Sequence, residues 1–98
     1  MAHLWVTHRT IIYEKQAQNV LDQYTDPHDR FHDQIMGIEW LLSRSPNVGV
    51  PAQKDEPTQF VLLVSKGDKL AQTNDIWLLY SYDDGIVTVH GINVINGQ

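Results

Sequence analysis

The chain contains no cysteine, which excludes a disulfide framework, a thiolate nucleophile and any cysteine-bound metal. It also lacks an apolar run approaching the roughly eighteen residues needed to cross a bilayer. His8 and Arg9 follow closely on Leu4-Trp5-Val6, so the N-terminus has no signal-peptide hydrophobic core and a cytoplasmic location is expected. Basic charge is scarce as well: Lys and Arg total 7 against 12 Asp and Glu, a formal net charge of −5. Nucleic-acid binders need a basic patch to displace counterions from phosphates. The composition therefore argues against a nucleic-acid partner.

What is present is an ordinary folding composition, 42% hydrophobic and 19% charged over 98 residues. That is enough for one core, so residues 1–98 are expected to form a single domain. Residues 4–9 read as a first strand. From Tyr13 the period becomes helical, with Tyr13, Ala17, Val20, Leu21 and Tyr24 on one stripe. Thr10 is the expected N-cap, and Ile11 and Ile12 fall in the turn leading into the helix. Asp26 and Pro27 suit the start of a second helix, in which Phe31, Ile35, Ile38 and Leu42 form the buried stripe. Residues 46–58, with three prolines and a glycine, read as a surface loop. Residues 59–65, 75–83 and 86–95 are rich in aromatic and β-branched side chains and read as strands. The expected class is α+β: strand, helix, helix, then a three-stranded antiparallel meander, with the helical hairpin packed on one face of the sheet.

The last hairpin can be written in register. A two-residue type I′ loop at Asp84-Gly85 pairs Asp83 with Ile86, Tyr82 with Val87, Tyr80 with Val89 and Leu78 with Gly91. The opposite, open face then carries Ser81 with Thr88, Leu79 with His90, and Trp77 with Ile92. A three-residue loop would reverse the faces of the last strand.

Four groups of side chains have chemical or binding potential. His90, on the open face, is a candidate general acid or base, set against a half-buried histidine lying on Leu79 and Trp77. His28 and His32 are four residues apart on the second helix. They could chelate a divalent ion with a third ligand such as Glu39, or lie on a solvated border of the helix. Met36 and Trp40 fall off the buried stripe and form either a contact surface or a patch covered by the N-terminal segment or the 46–58 loop. Lys66 and Lys69, beside Asp68 and Asp75, are solvated loop residues.

The order, length and spacing of these elements resemble the RelE/ParE superfamily of toxins from bacterial type II toxin–antitoxin pairs. Pro46-Asn47-Val48-Gly49-Val50-Pro51-Ala52-Gln53-Lys54 is similar to that family's proline- and glycine-containing loop ending in lysine. Asp75-Ile76-Trp77-Leu78-Leu79-Tyr80-Ser81-Tyr82-Asp83-Asp84-Gly85 is similar to its third strand and turn, and Ile86-Val87-Thr88-Val89-His90-Gly91-Ile92 to its fourth strand. The resemblance implies a small α+β toxin scaffold and an antitoxin-like partner encoded by an adjacent gene.

Messenger-RNA-cleaving members place lysines, arginines and often a histidine or tyrosine on the open sheet face, where they stabilise charge on the reacting phosphate. Here Phe60-Val61-Leu62-Leu63-Val64 occupies the second strand. The arginine common in the third strand falls on Trp77, and the basic position after the fourth strand's glycine falls near Val94 and Ile95. Lys54 alone matches a basic position. Indole and aliphatic groups do not replace guanidinium against phosphate.

The resemblance therefore points to a divergent member acting through protein binding, with Met36, Trp40, Trp77 and Ile92 as partner-binding candidates. His90 and Lys54 are the remaining catalytic candidates. No cofactor is expected, and a homodimer is compatible with the exposed apolar pair. Two alternatives stand beside this: a ribosome-dependent endoribonuclease with a rearranged site, and an unrelated small α+β binding domain.

Overall fold

The structure is a computed structural model, describing residues 8–24, 30–68, 70 and 73–95. Strand β1 is Thr10–Tyr13, helix α1 Lys15–Asp22 and helix α2 Arg30–Arg44. A single turn of 3₁₀ helix, Pro46–Val48, leads into β2, Val50–Pro51. Strands β3, Val61–Ser65, β4, Asp75–Tyr82, and β5, Ile86–Ile95, complete the chain. The class is α+β. The sheet, however, has five strands in the order β1-β5-β4-β3-β2 and is mixed: β1 runs parallel to β5 and every other pair is antiparallel. An N-terminal strand was expected and an antiparallel sheet; the parallel pairing of β1 and the two-residue β2 are corrections.

The first strand also starts later than its pattern suggests. Residues 4–7 of the expected strand lie outside the described residues, as do Asp26, Pro27 and His28 at the expected start of the second helix. His8 and Arg9 are not in a strand; Thr10, Ile11, Ile12 and Tyr13 are. Thr10 therefore caps no helix. Two adjacent β-branched isoleucines favour extended backbone, and pairing with Val87 and Thr88 fixes them there. The ladder continues past the strand ends, with the Thr10 amide donating to the Gly85 carbonyl and the Glu14 amide to the Val89 carbonyl. Tyr13 lies on the helical stripe in sequence but ends β1 in space. The helix N-cap is Glu14, whose side chain makes no capping bond.

Both helices contact β1 and β5. Ala17 of α1 and Phe31, Ile35, Ile38 and Leu42 of α2 share one core with Val61, Ile76, Leu78, Tyr80, Val87, Val89 and Ile92. Tyr24 stacks on Phe31 with ring centroids 4.1 Å apart, which draws the end of α1 to the start of α2. The core is therefore assembled from the predicted helical stripes and from alternate residues of β4. Tyr80 is fully buried, and its hydroxyl donates to the Pro46 carbonyl while accepting from the Gly49 amide. Those bonds tie the proline-rich loop to the sheet. A side chain at Gly49 would come within 2.7 Å of the Leu62 carbonyl oxygen.

The β4–β5 hairpin follows the expected register only near its turn. Tyr82 pairs with Val87, Ser81 with Thr88 and Tyr80 with Val89, but Leu79 then pairs with Gly91 and Leu78 with Ile92. His90 is the extra residue of a β-bulge. From that point every side chain of β5 is shifted by one, so Ile92 enters the core at 3% exposure and Asn93 stands opposite Trp77. The expected placement of Ile92 on the open face is corrected accordingly. The turn differs too: neither Asp84 nor Gly85 has a positive φ, which type I′ requires at both positions. Asp83 shapes the turn instead, its Oδ1 accepting from the Gly85 and Ile86 amides at 2.8 Å each.

Candidate functional site

Three side chains gather at the bulge in a hydrogen-bonded chain. His90 sits half-buried on the open face, and its Nε2 is 2.8 Å from the Ser81 Oγ. Its Nδ1 is 3.0 Å from the Glu14 Oε1. Glu14 reaches this place because β1 ends at Tyr13 beside Val89, leaving the first residue before α1 at the open edge of β5. Beyond it Gln16 accepts from the Ile92 amide at 3.1 Å, satisfying an edge donor that β1 no longer covers.

In a neutral His90 that donates from Nδ1 to the Glu14 carboxylate, the Nε2 lone pair faces Ser81 and the Ser81 hydroxyl is the donor. Ser81 Oγ also accepts from the Phe60 amide at 3.0 Å. Phe60 completes the cluster. Its ring lies 5.2 Å from the His90 ring, and its φ of 51° is in the left-handed region. It is the only described residue other than glycine with a positive φ. A bulge, a left-handed aromatic residue and a three-residue hydrogen-bonded chain therefore coincide. Beside them Gln59, Ser81, Tyr82, Asp83, Ile86 and Thr88 line an open cleft of about 200 Å³.

The remaining open face is apolar. Leu62 and Val64 of β3 lie opposite Leu79 and Trp77 of β4, and with Gln16, Gly91 and Asn93 the first of these pairs and Trp77 bound a groove of about 470 Å³. Trp77 is 41% exposed and Val64 39%. Among the described residues the edge of β3 beyond Leu62 is unpaired, and it opens onto a second groove. Strand β2 pairs only with Val61 and Leu62, and Leu63, Val64 and Ser65 face Gly37, Ile38 and Leu41 of α2 across about 320 Å³. Met36 and Trp40, the chain neighbours of Gly37 and Leu41, are exposed at 66% and 59%. The 46–58 loop does not cover them, and the Arg44 guanidinium lies 4.4 Å above the Trp40 ring.

The other candidates separate from this cluster. Lys54 is exposed in the loop between β2 and β3, and the partners of His90 are Ser81 and Glu14. His28 lies outside the described residues. His32 packs edge-on to Phe31, and Glu39 accepts from the Tyr13 hydroxyl at 2.5 Å, so the proposed third ligand is engaged elsewhere. Burial and then the Glu39 carboxylate push the Tyr13 hydroxyl well above its ordinary pKa. Among the described residues no group of three histidine, aspartate or glutamate side chains is arranged to hold a metal ion.

The Arg9 Nε donates to the Asp83 carbonyl, and Lys66 pairs with Asp75 at 3.3 Å. Among the described residues no helix is long and apolar enough to cross a membrane. No family model matches the chain, and neither a curated protein nor a solved structure does.

Proposed function

We propose that the domain is a divergent toxin-family scaffold of the RelE/ParE kind that acts by binding a partner chain, and that it lacks the basic ribonuclease set of that family. The carrying observation is apolar surface on both sides of the edge of β3 that is unpaired among the described residues. Gly37, Ile38 and Leu41 of α2 face Leu63 and Val64 across the groove, and Val64 and Leu62 lie beside Trp77 and Leu79 on the open face. An unpaired strand edge beside an apolar groove is the arrangement that accepts an added strand or an amphipathic segment. The domain's charge of −5 favours a partner segment with apolar anchors and basic flanks, as an antitoxin-like tail would offer.

The test is induced expression with and without the product of the adjacent reading frame, scored for growth, complex formation and messenger-RNA integrity. Growth arrest with intact messenger RNA, relieved by a neighbour that forms a stable complex, is the expected result. Harmless expression with no complex overturns the reading. Messenger-RNA cleavage that depends on His90 replaces it with the ribonuclease alternative.

A further inference from the structure

We propose that Ser81, His90 and Glu14 form a nucleophile–base–positioning relay able to cleave small uncharged esters, an activity separate from partner binding. The distances are those the chemistry needs: 2.8 Å from hydroxyl to imidazole and 3.0 Å from imidazole to carboxylate. Such a relay is recognised by its geometry and roles and not by residue order. In the forward step Ser81 Oγ attacks the ester carbonyl carbon and its proton passes to His90 Nε2. The C–O bond to the leaving alcohol breaks, and the alcohol departs with that proton. Water then attacks the acyl-serine, gives a proton to His90 and releases the acid, restoring the Ser81 hydroxyl.

Three further features fit the assignment. Backbone strain is concentrated at Phe60, whose amide donates to the nucleophilic oxygen, and such strain gathers at sites that position reacting groups. The bulge turns His90 toward Ser81, its diagonal neighbour across the strands. The adjoining cleft of about 200 Å³ has room for a short acyl chain against Ile86, with the Gln59 side-chain carboxamide and the Thr88 hydroxyl as polar groups beside the carbonyl oxygen. Asp83 on the cleft wall and Glu14 beside His90 disfavour an anionic substrate. Ser81 and His90 would be catalytic residues; Glu14 is a positioning residue.

A fluorophosphonate probe tests this directly, because it reacts preferentially with activated serines and leaves a mass tag. The full chain is treated with the probe, the modified peptide is identified by mass spectrometry, and p-nitrophenyl acetate hydrolysis is followed in parallel. The expected result is a single adduct on Ser81, absent in Ser81→Ala and formed about a hundredfold more slowly in His90→Ala. Glu14→Gln should slow labelling about tenfold and lower kcat for p-nitrophenyl acetate with KM unchanged, a split that a merely structural role would not give. Thermal melts confirm that each variant is folded. No adduct on the folded wild-type chain, an adduct elsewhere, or equal labelling of His90→Ala overturns the proposal.

Discussion

The His90 Nε2 lies 2.8 Å from the Ser81 Oγ across two paired strands, nine residues apart in sequence. At this point β5 carries one residue more than β4. That extra residue moves Ile92 from the open face to the core. The backbone irregularity thus lies beside the polar cluster and sets the packing below it.

The bulge predicts a stability pattern for β5. Ile92→Ala should destabilise the domain by about 2–5 kcal/mol, the range for deleting a buried isoleucine side chain, because Ile92 is 3% exposed. Asn93→Ala, on the exposed side of the strand, should change stability by under about 0.5 kcal/mol. Urea denaturation of the two variants reads this out; a regular ladder would reverse the order.

The turn makes the opposite statement about glycine. A Cβ on Gly85 meets nothing within 4 Å and its φ is not positive. Gly85→Ala should therefore stabilise the domain by about 0.4–1 kcal/mol through the unfolded chain. A type I′ turn would give a loss of similar size.

Asp83 carries that turn and gives it a pH dependence. Its bonds from the Gly85 amide, then the Ile86 amide, hold its carboxyl below the ordinary value of 3.8. The folded value is the lower one, so the carboxylate's contribution is present above pH 3.8 and is lost as pH falls through the folded value. Asp75, held down first by the Gly67 amide, behaves in the same way. Thermal melts between about pH 2 and 5 should show a decline in Tm, and it should be smaller in Asp83→Asn.

Tyr80 sets the alkaline limit. Burial pushes its hydroxyl up to about 12 from 10.0. The protonated form is favoured by the fold, so its contribution is complete below pH 10 and is lost between pH 10 and about 12. Tyr80→Phe removes that alkaline dependence and should cost about 1–3 kcal/mol at neutral pH, since the Pro46 carbonyl and the Gly49 amide lose their partner. Equilibrium denaturation at pH 7 and pH 11 checks both parts.

Much of this was legible in the sequence, for physical reasons. The α2 stripe of Phe31, Ile35, Ile38 and Leu42 is buried as its spacing requires, because period alone fixes which helical face is apolar. The exposed pair Met36 and Trp40 followed from the same angles. The start of α1 was misplaced because Tyr13 satisfies the helical period while its neighbours Ile11 and Ile12 take the strand pairing, and pairing is a tertiary effect.

The relay was half visible. Ser81 and His90 were assigned to one face, two positions apart on the diagonal, which is a contact distance in a sheet. Glu14 was not accessible, since the end of β1 places it and that end was read four residues too early. The bulge has no local signal except Gly91, which lies against the Gln16 side chain.

The central claim is partner binding along the free edge of β3. The most direct test is calorimetric titration of the purified domain with the purified product of the neighbouring reading frame, comparing wild type with Val64→Lys. Val64 is exposed at that edge and borders both the helical groove and Trp77, so a lysine there should weaken binding about tenfold or more without unfolding the domain. Absence of binding by the wild-type chain, or equal affinity for the two proteins, would contradict the account.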